Sequence, residues 1–222
     1  LDDRLQRLQP FLQADFICPI SPEKSFLETS STLLNNCDFF LTIAPGTQGI
    51  LATIVHRYQK SAAQSLNATP EAITHTTDKE AIYQLCSEKR ILYPKTFVIN
   101  SNGSYHEISA EPKLKGKTWQ QLVTEEEELK FPVIIKPNDG VACEGIVLCP
   151  SREKLQTKLQ KRFTEEGGQK MLLQEFIQGE SLSVSAIMKK KEEKKKTAAE
   201  EDCTILAINK QIVSIGEEGS EY

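Results

Sequence analysis

The chain has no Cys-x-x-Cys pair, no basic-then-apolar opening segment, and no apolar run near the roughly 18 residues of a membrane span. Its six cysteines (Cys18, Cys37, Cys86, Cys143, Cys149 and Cys203) are scattered. That spacing argues against a zinc ribbon and against a small disulfide-dense scaffold, so reduced thiols in the core are expected. The three histidines, His56, His75 and His106, share no spacing that builds a metal site or a nucleophilic triad. Positive charge is not in excess: 27 Lys+Arg against 31 Asp+Glu leave a net charge of −4. Nucleic acid is therefore disfavoured as the main partner. What is present, 222 residues that are 39% hydrophobic and 26% charged, suffices for a sizeable core and is ordinary for a folded chain. A soluble, cytoplasmic protein with no membrane segment is expected.

Leu1, Leu5, Leu8, Phe11 and Leu12 recur at helical spacing, and Asp15–Cys18 reads as a short strand. Ser25–Asn35 reads as a helix, Cys37–Ile43 as a buried strand, Ala44–Gly49 as a turn and Ile50–Gln64 as a second helix. Alternation of this kind predicts a parallel sheet. Thr76-Thr77-Asp78 precedes a helix over Lys79–Lys89, and Tyr93–Ile99 is a strand whose Pro94 fits an edge or a strand start. Gly103–Leu129 is polar, with an acidic run at Glu125–Glu128. Phe131–Lys136 and Gly145–Leu148 form a strand–glycine loop–strand unit, followed by a Ser151-capped helix over Arg152–Glu165 and a strand over Met171–Ile177. Leu182–Met188 and Thr204–Val213 are strands joined by Lys189–Asp202, whose six lysines face five acidic residues. That near-neutral linker predicts a solvated insertion rather than a nucleic-acid patch.

Two lysines on separate elements, Lys79 and Lys136, could each place an ammonium against a phosphate. Lys136 ends an apolar strand, where an unpaired charge is costly; the alternative is a side chain snorkelling to solvent. The loop carrying Gly140 and Gly145 could bring backbone N–H groups to an anion, or be an ordinary glycine hairpin. Asp139 and Glu144 are catalytic carboxylates or merely solvated loop residues. The strand at Gln174–Ile177 offers backbone donors and acceptors beside apolar side chains, which suits a purine.

In their order, FPVIIKPNDGVACEG, LLQEFIQGESLSVSAI and LAINKQIV resemble the ATP-grasp superfamily, in particular its carboxylate–amine ligase branch, including ligases of the archaeal tyramine–glutamate type. The resemblance implies an N-terminal parallel α/β domain over 1–75, a central ATP-grasp subdomain over 76–177 and a partial C-terminal subdomain over 178–222. It implies ATP and Mg²⁺ as cofactors, small carboxylate and amine substrates, and an acyl-phosphate route to an amide. Lys79 and Lys136 would contact phosphates, and the loop from Asp139 through Gly140 to Gly145 would cover them. Gln174, Glu175, Phe176 and Ile177 would form the adenine hinge, read through backbone at Glu175 and Ile177. Glu180, or Ser181 on a count one residue different, would bind the ribose. The branch usually has glycine where this chain has Ala142. Asn209, Lys210 and Gln211 fall where the family places polar residues facing phosphates or acceptor, with strand surface as the other reading. No metal ligand is assigned: Glu217, Glu218 and Glu221 are the only later acids and read as loop residues. With Leu1 in place of Met and no Asn-Pro-Arg-like segment before Tyr222, trimming at both ends is expected, and a nucleotide-binding module without ligation is the rival reading.

Overall fold

A computed structural model describes residues 18, 25–110, 116–125, 128–141, 143–165, 167–188, 203–212, 214–216 and 219–221. The expected first helix, the residues 15–17 of the first strand, Ala142, the Lys189–Asp202 linker, Glu217 and Glu218 lie outside the described residues. The chain divides into two compact units, Leu1–Ile82 and Tyr83–Tyr222.

In the first unit, α1 (Phe26–Leu34), β1 (Phe39–Phe40), α2 (Ile50–Tyr58), β2 (Gln64–Ser65) and α3 (Pro70–Thr77) follow one another. β1 and β2 pair in parallel, Phe39 opposite Gln64. Leu34, Phe40, Ile54, Tyr58 and Ala63 form a small core, with the Phe40 and Tyr58 rings edge-on at 5.7 Å. The expected buried strand over Cys37–Ile43 shrinks to two residues. Asn67 takes over the backbone of Thr42, accepting its N–H and donating to its C=O at 2.8 Å each, so a side chain replaces the ladder. Ile43 is consequently 92% exposed. The second helix stops at Tyr58, not Gln64, because the Tyr58 carbonyl accepts from Ser61 and the Gln64 N–H pairs with the Asp38 carbonyl to start β2. Helix α3 was not anticipated; its signal is Thr69-Pro70, an N-cap whose hydroxyl accepts from the Ala72 N–H followed by proline at the first helical position.

Helix α4 (Lys79–Glu88) opens as expected, with Asp78 Oδ1 accepting from the Ala81 N–H at 3.1 Å. The second unit is organised by a five-stranded antiparallel sheet in the order β4 (Tyr105–Glu107), β3 (Thr96–Ile99), β7 (Met171–Glu175), β5 (Val133–Pro137), β6 (Val147–Cys149). β3 is interior, so Pro94 sits just before a central strand and not on an edge. Strand alternation sends Phe97, Ile99, Val133, Ile135, Met171 and Leu173 to one face, where α5 (Trp119–Thr124) and α6 (Arg152–Thr164) cover them. The stretch Gly103–Leu129, read as simply polar, thus holds a strand and a core helix. Trp119, Leu122 and Val123 are spaced i, i+3, i+4 on its buried stripe, and Trp119 stacks on Phe163 at 5.8 Å. Helix α6 starts where Ser151 accepts from the Lys154 N–H; hydrogen bonding from Ser151 and the backbone holds the Glu153 carboxyl below the usual range. The hairpin β8 (Leu182–Met188) and β9 (Cys203–Lys210) pairs antiparallel with a bulge at Ser185/Ala186, and a second hairpin joins β10 (Ser214–Gly216) to β11 (Gly219–Glu221). Of the cysteines only Cys149 is buried in the core, and none of the six is in a disulfide. Among the described residues no helix is long and apolar enough to cross a membrane.

Tyr105 carries an exception within the core. Its side chain is 4% exposed, yet its hydroxyl has no hydrogen-bond partner among the described residues. Burial, reinforced by the Glu125 charge, pushes the phenol above its ordinary value. Tyr105→Phe is therefore expected to stabilise the protein by about 1 kcal/mol, because an unsatisfied buried hydroxyl is removed at almost constant shape. The sign with pH follows from a raised folded-state value: the wild type loses stability as pH rises past about 10, and the variant lacks that loss. Urea unfolding at pH 7 and pH 11 checks both, and equal stability of the two proteins at both pH values would refute the argument.

Candidate functional site

The face of the sheet opposite α5 and α6 carries the polar residues. Along β5, Ile134 and Lys136 point to this face, and Thr96, Val98, Leu172 and Gln174 share it across β3 and β7, given the register Thr96–Gln174–Ile134 and Leu172–Lys136. Val98, Leu172 and Ile108 make an apolar floor against which Tyr83 and Tyr93 pack. Lys136 is 8% exposed, so it does not snorkel; that alternative is overturned. The strand ends inside a covered face, and the ammonium is met by side chains instead of water. Nζ donates to Tyr83 Oη and to Gln174 Oε1, each at 2.8 Å, and lies 4.9 Å from the centroid of the Tyr83 ring. Gln174, 4% exposed, donates through Nε2 to Thr96 Oγ1 at 2.7 Å, and Thr96 Oγ1 donates to the Pro94 carbonyl. Among the described residues no carboxylate lies within ion-pair distance of Lys136. A buried cation compensated only by neutral groups and a ring is costly and has capacity left for an anion.

Gly140 and Gly145 both lie against Pro137. Gly145 has φ +71°, and an added Cβ would come within 2.9 Å of Pro137 Cγ; at Gly140 it would meet the Glu144 carbonyl oxygen at 3.2 Å. Only glycine fits Gly145 without displacement. Cys143 also has positive φ, the Glu144 N–H pairs with the Val141 carbonyl, and Arg162 Nη2 of α6 donates to the Gly145 carbonyl at 3.2 Å.

Past Gln174 the hinge is partly committed. The side chain of Gln174 points into the polar chain below Lys136, away from any hinge role of its own. The Glu175 N–H pairs with the Lys95 carbonyl and the Phe176 N–H with the Pro132 carbonyl. Among the described residues no backbone partner engages the Glu175 carbonyl or the Ile177 amide, and Ile177 is exposed. Glu180 forms an exposed ion pair with Lys210 at 2.6 Å, the Ser181 carbonyl accepts from the Gln211 N–H, and Asn209 donates to Ser185 Oγ across the hairpin. Lys79 is half-buried at the start of α4, in the first unit. The described residues contain no group of three His, Cys, Asp or Glu that could hold a metal ion. Tyr83 and Thr96 are the site residues that motif reading did not single out; a tyrosine one turn after Lys79 and a threonine in an apolar strand were the available signals.

Residues 78–222 match the sequence profile of the ATP-grasp domain family, and residues 1–73 match that of the pre ATP-grasp 3 domain. No curated protein sequence matches the chain. Among solved structures, it is similar to a D-alanine–D-alanine ligase from Bacillus anthracis complexed with ATP, at 18% identity and TM-score 0.54, covering 78% of this chain and 51% of that one. It is similar to the VanG D-Ala:D-Ser ligase from Enterococcus faecalis, at 16% and 0.55, covering 80% and 44%. It is also similar to the biotin carboxylase domain of a Hydrogenobacter thermophilus 2-oxoglutarate carboxylase in complex with MgADP, at 17% and 0.50, covering 79% and 38%. The chain thus spans about half or less of the length of these structures, and at such identities the likeness establishes the fold. Profile and fold agree: the chain belongs to the ATP-grasp domain family.

Proposed function

We propose that this chain supplies the nucleotide-binding part of a ligase that consumes ATP to join a small carboxylate to an amine through an acyl phosphate, in the carboxylate–amine branch that includes tyramine–glutamate ligases. The observation that carries the reading is the buried ammonium of Lys136, held by two neutral partners and lacking a carboxylate among the described residues. Lys136 binds and neutralises phosphate oxygens. Lys79, at the start of α4, is assigned the second phosphate cation. The loop from Asp139 to Gly145, with Gly140 and Gly145 allowing close backbone approach, covers the phosphates and excludes water that would hydrolyse the activated carboxylate. The Glu175 carbonyl and the Ile177 N–H are spaced to meet the amino group and N1 of adenine, with Phe176 between them, and Glu180 or Ser181 takes the ribose. We assign 1–75, 76–177 and 178–222 to the three parts of such an enzyme, and place it in the cytoplasm. The described residues contain no group of three His, Cys, Asp or Glu side chains, and Mg²⁺ beside a nucleotide is ordinarily held by one or two carboxylates together with phosphate oxygens and water. A second reading is a nucleotide-binding module that does not ligate.

ATP is expected to raise the melting temperature of the full-length gene product. At 100 times Kd the gain is about 2.7 kcal/mol, or roughly 5–10 °C for a chain of this size. No shift at millimolar ATP would remove the nucleotide site. ADP release that requires both a carboxylate and an amine supports ligation, and binding without any such release selects the module.

A further inference from the structure

We infer that Tyr83, Gln174 and Thr96 are positioning residues that hold Lys136 uncompensated so that its charge is reserved for the phosphates; this rests on the nucleotide reading above. One chain of hydrogen bonds runs from the Pro94 carbonyl through Thr96 and Gln174 to Lys136. Thr96 Oγ1 gives its proton to the Pro94 carbonyl at 2.7 Å, so towards Gln174 it can only accept. That forces the amide of Gln174 to turn Nε2 to Thr96 and Oε1 to Lys136, where it accepts at 2.8 Å. Thr96 thereby fixes which end of the glutamine faces the ammonium, although it does not touch the ammonium itself.

Of the three ammonium protons, one goes to Gln174 and one to Tyr83 Oη, leaving the third for an incoming oxygen. Both partners are neutral. A glutamate of the same shape at position 174 would cancel the positive charge at hydrogen-bond distance, and a phosphate would then have to compete with a buried carboxylate. The Tyr83 ring, whose centroid lies 4.9 Å from Nζ on the far side of the hydroxyl, is a neutral neighbour that does not cancel the charge. These residues are 53, 38 and 78 positions apart along the three contacts, so α4, β3, β5 and β7 must all be in place before the ammonium is set.

The test compares ATP and adenosine affinities by calorimetry on the full-length chain. In Gln174→Glu, the preference for ATP over adenosine is expected to fall by at least about tenfold while adenosine affinity stays within about twofold. A merely structural lesion would weaken both ligands together. Thr96→Val removes the hydroxyl that orients the Gln174 amide and should weaken ATP in the same selective way, whereas Thr96→Ser keeps the hydroxyl and should retain the wild-type preference. If wild type prefers ATP and this preference is unchanged in both Gln174→Glu and Thr96→Val, the positioning chain is overturned and the nucleotide site stands. If wild type shows no preference for ATP, the nucleotide reading fails and the positioning chain falls with it. Should Gln174→Glu not fold, the Thr96→Val and Thr96→Ser pair decides alone.

Discussion

Lys136→Met is expected to weaken ATP binding by at least about 100-fold, the equivalent of about 2.7 kcal/mol, which is the size of one or two hydrogen bonds to a charged group. The same substitution should leave the unliganded protein as stable as wild type or raise its melting temperature. In wild type the ammonium is buried with only Tyr83 Oη, Gln174 Oε1 and a ring for company. Removing an uncompensated buried charge recovers several kcal/mol of desolvation, while leaving the Gln174 oxygen without its donor costs about 1–3 kcal/mol. Methionine keeps the volume, so no cavity confuses the comparison as it would with alanine. Thermal melts with and without ATP read both effects. Unchanged ATP affinity would show that the phosphates lie elsewhere. A large loss of apo stability would show that the charge is compensated after all.

The second large effect comes from a pair of adjacent glycines between α6 and β7. Gly167 and Gly168 both have positive φ, +76° and +63°. A Cβ at Gly167 meets nothing within 4 Å, whereas at Gly168 it would lie 2.8 Å from the backbone oxygen of Ser101 and 3.1 Å from the Phe163 ring. Gly167→Ala therefore costs only the left-handed backbone penalty, about 1 kcal/mol. Gly168→Ala adds overpacking against a carbonyl that cannot move without disturbing the β3–β4 turn, for a total of about 3–4 kcal/mol. In melting temperature the difference between the two variants is roughly 5–10 °C. Because β7 follows immediately and carries Gln174 and the hinge, Gly168→Ala should also weaken nucleotide binding. Equal melting temperatures for the two variants would refute the steric argument.

Several elements were legible because their signals are local. Phe131–Lys136 and Met171–Ile177 are short, apolar and β-rich. The helix after Ser151 has its cap in the sequence, and the Asp78 cap before Lys79 is equally plain. The motif order pointed to the ATP-grasp fold for the same reason: each piece is a contiguous run. The failures share the opposite cause. Cys37–Ile43 looks like a buried strand until Asn67, 25 residues away, bonds the backbone of Thr42. Trp119–Thr124 hides in a polar stretch because six residues hold too few apolar positions to show a period.

The amino-acid sequence by itself therefore determined the class of fold and several of its short elements, since strand alternation, helix caps and glycine turns are written within a few neighbouring positions. Only the tertiary structure decided the state of Lys136. Whether a strand-end lysine reaches water or is enclosed depends on Tyr83, Gln174 and Thr96 arriving from three other elements, and on Thr96 orienting an amide it meets 78 residues later. Burial and hydrogen-bond direction are properties of that assembly, because electrostatic cost is set by what surrounds a charge in space and not by what precedes it in the chain.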